Sequence, residues 1–121
     1  MIIDANIILR CLLKDNYELA EKAKSFIDNN DCFAPTEVIA EVVFVLLKVY
    51  NVPRIEIAAL ITASFDYFEV QNELLLEKAL EYFGSTNLDF VDCLLAAYHS
   101  VENEKIATLD KKLNNFISRL C

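Results

Sequence analysis

Short apolar runs along this chain alternate with longer stretches of helical period. The first run, Met1-Ile2-Ile3, stops at Asp4 and reads as a strand. Asn6 is the expected N-cap of a short helix over residues 7–13. In Tyr17–Asp28, the apolar Leu19, Ala20, Ala23, Phe26 and Ile27 fall on one face at helical spacing, which predicts a second helix. Cys32-Phe33-Ala34 reads as a second short strand. Pro35-Thr36 then opens a helix to about residue 50, with Thr36 as its cap and Glu37 in the first turn, where the helix dipole favours an anion. Val38, Ile39, Val42, Val43, Phe44, Leu46 and Leu47 make that helix apolar nearly all round, which predicts a central position.

Asn51-Val52-Pro53 breaks the pattern, and a further helix is expected over 54–65. A third strand is expected at 68–70 and a helix at 73–83, with Gly84 as its C′ residue. Asp89 should cap a helix to about residue 101, and 105–108 should be a fourth strand. Asp110 should cap the last helix, whose Leu113, Phe116, Ile117 and Leu120 keep the helical spacing. Strands that alternate with helices imply a parallel sheet covered on both sides. One glycine and two prolines are too few for the turns of an all-β fold. With 121 residues, 55% of them hydrophobic, the chain is expected to be one ordered domain over 1–121.

The formal charge of −8 repels polyanions at long range and counts against a simple nucleic-acid binder. That objection weakens where part of the charge is a metal site, because bound divalent cations reverse the local sign. No apolar run reaches the roughly 20 residues of a membrane span, and the N-terminus reads as a strand rather than a secretory signal. Cys11, Cys32, Cys93 and Cys121 show no CxxC spacing, and His99 is the single histidine, so a zinc site is not expected. The cysteines read as reduced thiols of a cytoplasmic protein, with Cys121 open to oxidation between molecules.

Candidate chemistry lies in the carboxylates. Asp4 ends a strand at a strand-to-helix turn, which is where open α/β enzymes place functional groups. Glu41 stands between Ala40 and Val42 in the most apolar helix, so burial is expected unless a lysine or an exposed edge receives it. An unpaired buried carboxylate costs several kcal/mol or becomes protonated. Glu37, one turn earlier on the same face, adds a repulsion of about a few tenths of a kcal/mol. Asp92, Asp89 and Asp110 are each explained singly by helix capping or by the dipole.

The combination of Asp4, Glu41, Asp92 and Asp110 says more than any member. Three of the four stand where a strand or loop meets a helix N-terminus. Carboxylates that converge require protons or cations, and hard oxygen donors without histidine or thiolate select Mg²⁺ or Mn²⁺. Two such ions about 3.5–4 Å apart are a standard arrangement for phosphodiester hydrolysis. Arg10 and Lys14 follow Asp4, and Lys111 and Lys112 follow Asp110, as phosphate contacts at a pocket rim or as solvated surface cations. Thr108 is a candidate to orient a water or a metal, and His99 reads as an edge histidine.

Four segments together resemble the PIN-domain ribonucleases, and in length and style the VapC-type toxins of type II toxin–antitoxin pairs. They are Ile2-Ile3-Asp4-Ala5-Asn6, the run from Thr36 to Glu41, the run from Leu88 to Ala97, and the run from Ile106 to Lys112. The resemblance implies a Rossmann-like three-layer α/β/α sandwich with a central parallel sheet of four or five strands. It implies that Asp4, Glu41, Asp92 and Asp110 are catalytic and metal-binding, with Asn6, Thr108 and Asp89 in support. Cys93 departs mildly from the small residue usual at its position. The implied activity is Mg²⁺- or Mn²⁺-dependent endonucleolytic cleavage of RNA. The implied partners are an RNA substrate, a small antitoxin protein in an apolar groove and a second copy of the chain, with no membrane.

Other readings meet specific gaps. An Mg²⁺-dependent aspartyl-phosphate phosphatase wants a second acid two residues after the first, where Asn6 stands. A signal-receiver-like binding module wants an aspartate after the third strand, where Gln71-Asn72 stand. A non-catalytic binding domain has no need of all four acids.

Overall fold

The computed structural model describes residues 1–120; Cys121, expected as a terminal thiol, lies outside them. Among the described residues the chain forms seven helices around a very small parallel sheet. The elements are α1 (Ala5–Leu13), α2 (Tyr17–Asp28), β1 (Phe33–Ala34), α3 (Thr36–Lys48), α4 (Arg54–Ser64), β2 (Glu69–Val70), α5 (Glu73–Ser85), α6 (Phe90–Glu102) and α7 (Lys111–Ser118).

In the sheet, Phe33 pairs with Glu69 and Ala34 with Val70, and a one-residue parallel bridge joins Ile2 to Phe33. The ammonium of Met1 donates to Asp31 O at 2.8 Å, and the Phe33 amide donates to Met1 O at 2.8 Å, which ties the amino end into this register. The three extended segments run the same way, so their carboxyl ends share one edge. From that edge rise α1 after Asp4, α3 after Pro35 and α5 after Asn72.

The expected four or five strands are replaced, among the described residues, by two strands and the Ile2 bridge. Residues 105–108 enter no ladder. The polar groups of Thr108 are spent locally instead: its carbonyl accepts from Asn114 Nδ2 at 2.8 Å and its hydroxyl from the Asp110 amide at 3.1 Å. The alternation of extended and helical segments is retained, and the architecture is α/β with most of its mass in helices.

Buried side chains from all seven helices and the sheet meet in one core that includes Ile3, Ile8, Ile27, Ala34, Val42, Leu46, Ile61, Leu80, Phe83, Ala96 and Leu113. α3 buries Ile39, Val42, Val43 and Leu46. Its other face is solvated although apolar, and Phe44 is 56% exposed. That face receives Glu41, which is exposed and not buried as the apolar surroundings in sequence imply. Helix caps also differ from expectation in two places. Asp4, not Asn6, caps α1, and Pro35 occupies the cap position of α3, with Thr36 already helical. Gly84 lies inside α5 rather than after it, at a close approach where an added Cβ would meet Ala58 Cβ at 3.4 Å.

Candidate functional site

Capping chemistry places three of the acids. Asp4 Oδ1 accepts the Ile7 amide at 3.1 Å, Asp89 Oδ1 accepts the Asp92 amide at 2.9 Å, and Asp110 Oδ1 accepts the Leu113 amide at 2.9 Å. Each cap satisfies an amide that the first helical turn leaves without a partner. It uses one carboxylate oxygen and leaves the other without a hydrogen bond among the described residues. Asp92 sits in the first turn of α6 and is half-buried. None of Asp4, Glu41, Asp89, Asp92 or Asp110 is in an ion pair among the described residues.

Two regions result. A groove of about 570 Å³ runs between α1 and α3. Asp4, Asn6, Glu37, Val38 and Glu41 stand at the end nearer the sheet edge, and Leu13, Val49 and Tyr50 at the far end, with Leu9 and Val45 between them. Arg10 lines its wall and pairs with Asp15 at 3.5 Å. The second region is the amino end of α6. Burial pushes the Asp92 carboxyl above the usual carboxylate range, and the charges of Asp89 and Asp110 push it further, with Lys112 partly offsetting them. Lys112 Nζ donates to Asn87 O at 3.3 Å, while Lys14 and Lys111 are exposed.

The structure therefore brings Asp4, Glu41 and Asn6 onto one groove, and Asp92 under the influence of Asp89 and Asp110. It does not gather any three His, Cys, Asp or Glu side chains of the described residues into one ion-sized cluster. The donor chemistry nevertheless fits a hard divalent cation. All donors are oxygens, each capping acid keeps a free carboxylate oxygen, and Asp92 carries the electrostatic cost of neighbouring acids. Thr108 reaches this region through Asp110, whose amide its hydroxyl accepts. The three described cysteines are free, and burial raises the Cys93 thiol to about 11, which makes it an inert core group.

Two features escape the sequence pattern. Tyr50 lines the groove beside Glu37 and Glu41, although periodicity gives no reason to single it out. Arg54 is the first residue of α4, where a cation opposes the helix dipole, and this was the available signal. Its Nε donates to Phe83 O at 2.9 Å and its Nη2 to Leu88 O, and the guanidinium carbon lies 3.8 Å from the centroid of the Phe83 ring.

No helix among the described residues is long and apolar enough to cross a membrane. Neither a curated protein nor a solved structure gives a significant match. A family model described as PIN domain matches residues 1–117, and so, with Asp4, Asp92 and Asp110 standing at the amino ends of α1, α6 and α7 and Glu41 midway along α3, the chain belongs to the PIN-domain family, whose members are generally nucleases.

Proposed function

We propose that this protein is a metal-dependent endoribonuclease that uses Asp4, Glu41, Asp92 and Asp110, and that it acts as the toxin of a type II toxin–antitoxin pair. The observation that carries the reading is the set of unpaired acids around the amino end of α6, where Asp92 is held above the usual carboxylate range by burial and by Asp89 and Asp110. A site that accumulates uncompensated negative charge is built for a cation.

Asp4, Glu41, Asp92 and Asp110 are the residues to hold Mg²⁺ or Mn²⁺. When bound, such an ion supplies Lewis acidity toward an attacking water and the phosphodiester oxygens. The chain's own part is positioning. Helix caps hold the Asp4 and Asp110 carboxylates against the Ile7 and Leu113 amides, and Asp89 fixes the first turn that carries Asp92. Thr108 steadies Asp110 through its amide. Asn6 stands beside Asp4 on the groove as a neutral donor toward an RNA hydroxyl or phosphate. Arg10, Lys14, Lys111 and Lys112 offer phosphate contacts around an anionic centre. The groove gives a single RNA strand an apolar wall for its bases.

The exposed apolar residues Phe44, Val49, Tyr50 and Ile55 support binding of a second copy of the chain and of a small antitoxin protein. The low-pI, reduced-thiol character supports action in the cytoplasm of a cell.

The test is cleavage of labelled single-stranded RNA and tRNA with Mg²⁺, with Mn²⁺ and with EDTA, for the wild type and Asp92→Asn. Cleavage by the wild type alone, lost in EDTA, is expected. Equal cleavage by both proteins would remove Asp92 from the site, and no cleavage by well-folded wild type would leave a binding domain.

A further inference from the structure

Arg54 is placed against its local preferences. It is the first residue of α4, where the helix dipole disfavours a cation, and burial further disfavours its charge. A residue kept at such a position is held by what it contacts. Its contacts are two backbone carbonyls, Phe83 O through Nε and Leu88 O through Nη2. These carbonyls bracket the end of α5 and its connection to α6. The Phe83 ring lies under the guanidinium and also meets Phe90, the first residue of α6, edge to face at 6.1 Å. Arg54 thus grips both ends of one connection, and that connection leads straight into Asp89.

The next links are covalent or hydrogen-bonded. Leu88 precedes Asp89, and Asp89 accepts the Asp92 amide through Oδ1 and the Cys93 amide through its own carbonyl. Displacing the Leu88 carbonyl shifts the cap, and shifting the cap turns the first helical turn that aims Asp92. Gly84 favours the reach, because α5 passes close to Ile55 and Ala58 at the start of α4. Lysine is no substitute here, because it lacks the planar fork that donates in two directions while stacking on a ring.

We propose that Arg54 is a positioning residue of the carboxylate site: by clamping Phe83 O and Leu88 O against the Phe83 ring it fixes the turn that orients Asp89 and Asp92. The proposal rests on the nuclease reading of those acids, yet its first consequence needs no metal.

The experiment compares the wild type with Arg54→Met, Arg54→Lys and Ile61→Val. Ile61 is fully buried on α4 away from the connection, so its variant controls for a general loss of stability. Two quantities are read on folded protein: amide exchange of Asp92 and Cys93 without metal, and Mn²⁺ affinity from the paramagnetic resonance of free Mn²⁺. Arg54→Met is expected to speed exchange at both amides beyond the Ile61→Val control. It is also expected to weaken Mn²⁺ binding by about 10- to 100-fold, the usual cost of losing a support behind metal ligands. Arg54→Lys should fall between, and it carries the comparison where Arg54→Met does not fold. Exchange and Mn²⁺ affinity equal to those of the Ile61→Val control would overturn the proposal. Wild type that binds no Mn²⁺ would sink the nuclease reading, and the amide exchange would still decide whether Arg54 holds the turn.

Discussion

The groove between α1 and α3 and the amino end of α6 hold their acids in opposite settings. In the groove, Asp4 and Glu41 are exposed beside an apolar wall, and room is the dominant feature. At α6, Asp92 is half-buried, and burial together with Asp89 and Asp110 works against its ionised form. On the proposed nuclease reading, the groove would take a strand of RNA and the α6 end a cation. α3 and α6 pack on each other and are the elements through which the two regions would act together.

The comparison breaks most easily at the acids. Asp4→Asn and Asp92→Asn should each lower metal-dependent RNA cleavage by about 100-fold or more, because several kcal/mol of charge stabilisation are lost. Single-turnover rates with saturating Mn²⁺ measure this, and an effect confined to one of the two would mean that the regions do not share a centre. Next in size is the groove itself. Val45→Trp, at a half-buried wall position, should raise KM for RNA by about 10-fold and leave Mn²⁺ affinity unchanged, since the larger ring takes up binding space. Equal KM values would remove the groove from RNA binding.

Smaller effects separate capping from charge. Asp89→Ala should cost about 1 kcal/mol in urea unfolding, whereas Asp89→Asn should cost much less, because asparagine also caps. A loss of stability as large in Asp89→Asn would show that the charge and not the cap matters there.

The smallest effect concerns pH. The folded-state pKa of Asp92 is raised, so the native state binds the proton more tightly than the unfolded chain does. Asp92 therefore costs no stability below its unfolded pKa near 4, and its penalty grows as pH rises through the raised folded value. At pH 7 without metal, Asp92→Asn should be more stable than the wild type, read as a higher Tm. The difference should vanish near pH 3, and a destabilised variant at pH 7 would contradict the sign.

Much of this arrangement was legible in the sequence because it is local. The α2 limits follow from helical spacing, and Asp89 and Asp110 announce their caps by residue type and position. The extent of the sheet was not legible, because pairing depends on partners distant in the chain and residues 105–108 spend polar groups on the α7 cap. The choice between burial and an exposed edge for Glu41 stays open in the sequence for a related reason. Apolar residues all round α3 imply burial, but part of that apolar surface faces solvent, as Phe44 shows. The four acids are singled out as a set from the sequence, and their division between a groove and a charged helix end is a property of packing. Arg54 carried a local sign in its conflict with the helix dipole, and its targets, Phe83 and Leu88, are far along the chain.

On the proposed function, both regions serve one metal centre. The direct measurement is a titration of ¹⁵N-labelled protein with substoichiometric Mn²⁺, followed by paramagnetic broadening of backbone amide signals. The account predicts that the amides around Asp4 and Glu41 broaden together with those around Asp89, Asp92 and Asp110, at the same Mn²⁺ concentration. Broadening at only one of the two regions, or evenly over the acidic surface, would contradict it.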